Sequence, residues 1–352
     1  MPAGTISRTP VVSVLVPTYC RPLSLRRCIA SLARQDFPRE FEVIVIDDGS
    51  DPPAASSLSD APASGVDLVL LSQPNQGAGA ARASGIRRAR GEILAFLDDD
   101  CTVPSDYLRS IENVFTRYPE TMIVQVGLEN PQPKNIYGQA WKFALEQTLK
   151  SNLHPDENGR LTCGILGGVM VARRELFERA AYDPRFTKGR EDADFRYQLQ
   201  KLNIPVYYEP NIKVFHYYRQ SLRSYLASFF AYGRGEFHLQ HKWRENPSPV
   251  KYPKLTSWRA FRSLLGTEAF IQGFAVYCLL WLKRHAGLWG VLYETAASKR
   301  PGRRASILAR FGWLLLSRYV VGTGWLLIAP LKRRLSSLLL SERPRLPGGN
   351  SN

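Results

Sequence analysis

Four short apolar runs, residues 11–16, 41–46, 66–71 and 92–97, are separated by stretches of quite different periodicity, and this alternation constrains the chain most. Runs of about six apolar residues read as strands buried on both faces. After Pro22, the residues Leu25, Cys28, Ile29 and Leu32 recur at i, i+3, i+4 and i+7, one face of a helix. Residues 79–90 read as a second helix, closed by Gly91. Ser105 is placed to cap a third, carrying Leu108, Ile111 and Phe115, before residues 121–126 return as a strand. Repeated β-α-β of this kind predicts an α/β fold, a mostly parallel sheet with flanking helices. Such sheets bind ligands outside the carboxyl ends of their strands. The residues just past each strand end are therefore the informative ones.

Pro17-Thr18-Tyr19 follows the first run, Asp47-Asp48-Gly49-Ser50 the second and Asp98-Asp99-Asp100 the fourth. An Asp-Asp-Gly-Ser sequence by itself makes a good turn, and three aspartates make an ordinary solvated one. At the mouth of one sheet they offer more. An aspartate there can accept hydrogen bonds from a base N–H or a ribose hydroxyl, with Thr18 and Tyr19 beside it. Asp98 and Asp100 are two apart, and in extended backbone both carboxylates point the same way. That pair suits a hard divalent cation, Mn²⁺ or Mg²⁺, which shares a diphosphate with its substrate. The dinucleotide signature G-x-G-x-x-G is missing after the first strand. Its nearest match, Gly77 to Arg82, ends in arginine. Arg82 and the amides near Gly77 and Gly79 stand where a helix start can meet phosphate.

Beyond residue 127 the alternation loosens. A helical stretch, 136–150, and a glycine-rich segment, 163–168, lead to Glu191-Asp192-Ala193-Asp194 at the head of another helix. Carboxylates in a first turn are also ordinary capping residues. A short strand ends near His216, which alone reads as a half-buried polar residue, and residues 221–241 form a long amphipathic helix. Charge separates the two ends of the chain. Residues 1–220 carry 26 basic and 26 acidic side chains, whereas 221–352 carry 21 and 5, so the whole net charge of +16 lies in the last third. Five scattered cysteines form neither C-x-x-C nor a zinc pattern, and the N-terminal apolar run is too short for a signal-peptide core. Both point to a reducing, cytoplasmic setting.

The runs VSVLVPTYCRP, VIVIDDGS, NQGAGAARASGIRRARGEILAFLDDD, GREDADFRYQL and VFHYYRQS, taken in that order, resemble the family 2 glycosyltransferases of the GT-A fold. The resemblance covers about residues 11–235. It implies that Asp48, with Asp47, contacts the nucleotide base, and Pro17, Thr18 and Tyr19 the nucleoside. Asp98-Asp99-Asp100 matches the family's D-x-D motif, with Asp100 the leading metal ligand and Asp98 and Asp99 on the donor side. Glu191-Asp192 matches its acceptor-side acidic pair, in which the aspartate is the base. His216 matches a histidine that completes the metal sphere in some members. One departure is Arg82-Ala83, where the family commonly has Arg-Asn.

These roles are chemically consistent. A leaving nucleoside diphosphate needs its charge offset, and an attacking hydroxyl needs one general base. One base opposite one leaving group makes a single displacement, so the product is inverted. A helix N-terminus is expected to keep Asp192 ionised. The expected partners are a nucleoside-diphosphate sugar donor and a glycan or lipid-linked acceptor in surface polysaccharide or lipid-linked glycan synthesis. A sugar-phosphate nucleotidylyltransferase would want a glycine-rich basic loop where Pro17–Pro22 stands. A nucleic-acid-binding protein fits the charge, but no such module is present.

The expected organisation is a catalytic domain over 1–220, with a nucleotide-sugar half at 11–126 and an acceptor half at 127–220. An amphipathic helix and linker follow at 221–265, then basic apolar helices at 266–341 and a polar tail at 342–352. The stretch 270–282 is 13 residues, short of the ~20 that span a bilayer. The stretch 311–331 is long enough but contains Arg318. Flanked by Lys299-Arg300, Arg303-Arg304 and Lys332-Arg333-Arg334, these segments read as helices lying on an anionic membrane surface, a peripheral or monotopic association with the inner face. A buried helical subdomain or a dimer contact is the competing reading.

Overall fold

The computed structural model describes residues 9–58, 66–164, 167–244 and 270–297. Strands β1 (Val12–Thr18), β2 (Phe41–Asp47), β3 (Asp67–Ser72) and β4 (Ile93–Phe96) alternate with helices α1 (Pro22–Leu32), α2 (Ala54–Leu58) and α3 (Ala78–Arg88). Then come β5 (Cys101–Thr102), α4 (Tyr107–Arg117), β6 (Ile123–Glu129), α5 (Ile136–Lys150), β7 (Leu153–Pro155), β8 (Leu161–Cys163) and β9 (Met170–Arg173). The described chain continues through α6 (Glu191–Lys201), β10 (Tyr207–His216), α7 (Leu222–Lys242) and α8 (Phe270–Ala297).

The sheet runs β3-β2-β1-β4-β9-β6-β10-β8-β7, with β5 paired to β10. Strands β3, β2, β1 and β4 are mutually parallel, as the alternation predicts. The other half is mixed. β9 enters antiparallel between β4 and β6, while β10 is parallel to β6. The chain leaves β1 toward β2 and β3, then returns to the other side of β1 as β4. That reversal opens a crevice at the carboxyl ends of β1 and β4.

Alternate residues of β1 point to opposite faces. Val12, Val14 and Val16 join Leu25, Ile29, Leu108 and Ile111 on one side of the sheet. Leu15 joins Ile44, Leu94, Phe195 and Leu199 on the other. A third cluster joins α5, α7 and α8 through Ala140, Ala144, Tyr225, Phe229, Val276, Leu279 and Leu280. The 270–282 stretch is therefore the first half of a longer helix, and part of its apolar surface is covered by the chain's own helices. Among the described residues no helix is long and apolar enough to cross a membrane. The 311–331 stretch and the basic clusters around it lie outside the described residues. The chain divides into two units, Met1–Glu294 and Thr295–Asn352.

Candidate active site

The carboxyl end of β1 places Thr18 over the crevice, and the acidic turn after β4 meets it there. Thr18 Oγ1 donates to Asp99 Oδ2 at 2.8 Å. The three aspartates are not extended. The Cys101 N–H donates to the Asp98 carbonyl at 3.0 Å, which folds them into a turn in which the Asp98 carboxylate meets Arg82 while those of Asp99 and Asp100 share Arg21. The expectation that Asp98 and Asp100 point the same way is corrected here. Asp98 Oδ1 accepts from Arg82 Nη2 at 2.8 Å, Asp99 Oδ1 from Arg21 Nη1 at 3.0 Å, and Asp100 Oδ2 from the same nitrogen at 2.9 Å.

Asp100 has another neighbour. The two-residue strand β5 pairs Cys101 with His216 on β10, and the Tyr217 N–H donates to the Asp100 carbonyl at 2.9 Å. This brings His216 Nε2 to 3.3 Å from Asp100 Oδ1. Burial opposes ionisation of Asp100, but His216, Arg21 and Arg219 outweigh it and hold its carboxyl well below the usual range. Burial likewise opposes the charge on His216, and Asp100 raises its pKa in spite of that. For Asp99 burial wins over Arg21, and its carboxyl is pushed up to about 6.

Ligand atoms of Asp100, Cys101 and His216 lie within 4.8 Å of one another. His216 Nδ1 is buried without a hydrogen-bond partner, and Asp100 Oδ1 has only the 3.3 Å contact with His216 Nε2, a costly state unless another group completes the pair. A carboxylate oxygen suits Mn²⁺ or Mg²⁺, and an imidazole nitrogen beside it favours the transition ion Mn²⁺ of the two. Burial drives the Cys101 thiol far above its ordinary pKa, so it stays protonated and is no ligand for a hard cation.

The second acidic doublet divides its labour. Asp47 accepts from the Ser50 and Ala54 amides at 2.9 and 2.7 Å, which fixes the turn and the start of α2, and it does not line the cavity. Asp48 does line it. Its carboxylate accepts from Gln73 Nε2, Asn75 Nδ2 and the Gln76 and Gly77 amides, at 2.8 to 3.2 Å. The Gly77 amide, read from sequence as a phosphate contact, is thus turned toward Asp48.

Arg82, only 3% exposed, spans the site from α3. Its Nη1 donates to Glu191 Oε1 at 2.7 Å while Nη2 holds Asp98. Glu191 is committed to that pair. Asp194 is fully buried and accepts from Lys242 Nζ and Trp243 Nε1 at 2.9 and 2.7 Å. Asp192 accepts from its neighbouring Ala193 amide at 2.7 Å. Its carboxyl is pushed up to about 6, by burial first and by the Glu191 charge second. The shift is upward rather than downward because desolvation and a like charge outweigh the helix N-terminus, yet a carboxyl at about 6 is still mostly ionised at neutral pH.

Thr18, Asp48, Arg82, Asp98, Asp99, Asp100, Glu191 and His216 line one cavity of about 530 Å³, with Pro17 and Tyr19 at the same edge. Asp192 stands beside Glu191 but is not itself part of the lining. Sequence reasoning missed Arg21, Arg219, Trp141 and Tyr232, which also line it. Arg21 and Arg219 stand inside the quoted motifs, CRP and YYRQS. Trp141 and Tyr232 come from α5 and α7, whose place over the sheet no local pattern announces.

Residues 13–180 match the sequence profile described as "Glycosyl transferase family 2". Glycosyltransferase AglE of Haloferax volcanii is 34% identical over 104 residues, 29% of this chain and 34% of that one. The pre-mycofactocin glycosyltransferase of Mycobacterium tuberculosis is 25% identical over 270 residues, 73% of this chain and 53% of that one. The chain thus spans about a third to a half of the length of these curated relatives. Among solved structures, the mannosyltransferase PcManGT of Pyrobaculum calidifontis, in complex with GDP-Man and Mn²⁺, shares the fold with a TM-score of 0.52. It is 20% identical, over 88% of this chain and 81% of that one. The region 13–180 of this chain thus matches glycosyltransferase family 2, and the sheet that carries it has the GT-A type fold.

Proposed function

We propose that the chain transfers a sugar from a nucleoside-diphosphate sugar to an acceptor hydroxyl, with inversion at the anomeric carbon. The observation that carries this reading is the convergence, on one cavity, of Thr18 and Asp48 at the ends of β1 and β2, the acidic turn after β4, and Glu191, the neighbour of Asp192. The solved mannosyltransferase of the same fold supports a sugar-nucleotide donor and a divalent cation. Asp48, Thr18, Tyr19 and Pro17 hold the nucleoside, with Asp47 shaping the turn beneath them. Asp100 and His216 would hold a divalent cation, with Asp98 next to them. When bound, it offsets the charge that builds on the departing diphosphate.

Asp192 takes the proton of the acceptor hydroxyl at a carboxylate oxygen as that hydroxyl attacks. A carboxyl near 6 is mostly ionised at neutral pH and still a better proton acceptor than an unperturbed aspartate. Arg82 fixes Glu191, so the doublet presents one committed and one uncommitted carboxylate. The cationic last third favours an acceptor held at an anionic membrane surface, a glycan or a lipid-linked precursor on the inner face of the cell membrane. A panel of UDP-, GDP- and dTDP-sugars with Mn²⁺ or Mg²⁺ tests the reading. Release of a nucleoside diphosphate from one of them is the expected result, and pyrophosphate release instead would make the protein a nucleotidylyltransferase.

A further inference from the structure

The backbone that delivers Asp192 to the site is strained, and α7 holds it in place. Gly189 and Arg190 are both left-handed, with φ of +97° and +72°. Glycine tolerates this, but an arginine adopts it only where the surroundings impose it. Residues 232, 235 and 236, spaced i, i+3 and i+4 on one face of α7, do so. The Tyr232 ring closes on Gly189, where an added β-carbon would lie 2.9 Å from its Cδ1. At Gly235 the helix backbone approaches so closely that a β-carbon would collide with the Gly189 carbonyl oxygen. Glu236 Oε2 lies 3.1 Å from Arg190 Nε. At the far end of α7, Lys242 and the adjacent Trp243 hold Asp194.

Both flanks of Asp192 are thereby fixed. Glu191 is tied to Arg82 and Asp194 to the end of α7, whereas the Asp192 carboxylate is bonded to its neighbour's amide. Its position is set by the backbone before it. We propose that α7 is the element that positions Asp192, with Glu236 and Tyr232 as positioning residues acting through the Gly189–Arg190 turn. This rests on the reading of Asp192 as the base. Helix α7 lies beyond residue 180, where the family match ends, so the clamp belongs to the part of the chain outside that match.

Glu236 does not line the cavity, which makes it the residue to change. In the full-length protein, Glu236→Ala should lower kcat about tenfold or more, since small misplacement of a reacting group is expensive. Donor KM and nucleotide affinity should stay within about twofold. Glu236→Asp, which keeps the charge of the ion pair, should recover part of the loss, whereas Glu236→Gln should recover less. In an Asp192→Asn background the same substitution should change kcat by less than about twofold, because residues acting through one group are not additive. Arg190→Gln tests the other half of the pair should Glu236→Ala fail to fold.

Amide hydrogen exchange over residues 187–194 reads the clamp without any turnover, and it should speed up about tenfold in Glu236→Ala. Additive losses with Asp192→Asn, an equal loss of donor affinity, or unchanged exchange would overturn the proposal. A wild-type protein that turns over no nucleotide sugar would instead sink the assigned reaction, and an Asp192→Asn variant with full activity would sink the assignment of the base, while the exchange measurement would still decide whether α7 holds the turn.

Discussion

Asp192 is under opposing demands that a single substitution can separate. Its carboxyl titrates at about 6 in the folded protein against an ordinary 3.8, so the folded state binds the proton more tightly than the unfolded chain does. The stability contributed by this group is complete below the unfolded value and is lost as pH rises through about 6. Asp192→Asn should therefore raise the melting temperature at pH 7–8 relative to wild type while leaving it nearly unchanged near pH 4. The same change should cut transfer by about a hundredfold or more, the usual scale for loss of a general base, with donor binding intact. In the wild type, kcat/KM should fall about tenfold per unit below pH 6, since only the ionised form accepts a proton. A variant that is neither more stable nor inactive would move the base to another carboxylate. For the metal, Asp100→Ala should abolish Mn²⁺ binding measured by calorimetry. His216→Ala should weaken it by at least the ~10-fold that even an outer-shell partner is worth. Undiminished turnover in EDTA would remove the metal from the scheme.

Among the elements, what local periodicity encodes was legible and what distant pairing encodes was not. The run from β1 to β4 could be read because each strand and helix carries its own burial pattern, and Leu25, Cys28, Ile29 and Leu32 do face the core. Strand β9 went unread. Its four residues, Met170–Arg173, are too few to show a period, and their burial comes from β4 and β6 closing on either side. The same holds for β5, two residues long, whose pairing with β10 brings His216 to the acidic turn across more than a hundred positions. The place of the aspartates at the sheet's edge was legible, but their directions were not, because a turn rather than a strand sets them. Helix α8 crosses α7 at glycines. A β-carbon on Gly290 would collide with the Phe230 carbonyl oxygen, whereas one on Gly287 would meet its nearest atom at an ordinary 3.7 Å. Gly290→Ala should thus lose about 1–3 kcal/mol in urea unfolding. Gly287→Ala should be neutral or gain a few tenths from helix propensity.

At the scale of the whole molecule the charge asymmetry sets where to cut. Residues 298–352 contain 11 Lys or Arg and one Glu. Full-length protein should sediment with anionic vesicles at low salt and be released at high salt, whereas a chain ending at Ala297 should stay in solution. Ending it near residue 265 would strip Val276, Leu279 and Leu280 from Tyr225 and Phe229 and confuse lost binding with lost folding. If both forms remain in the supernatant, the positive charge serves something other than a membrane. The α7–α8 crossing bears on how such binding would be felt. Where Gly233 and Gly290 sit, main chain rests on main chain, with no side chain between to yield. A joint without padding transmits load. A tilt imposed on α8 would therefore be carried to α7, whose face packs on the turn before Asp192, rather than be absorbed at the crossing.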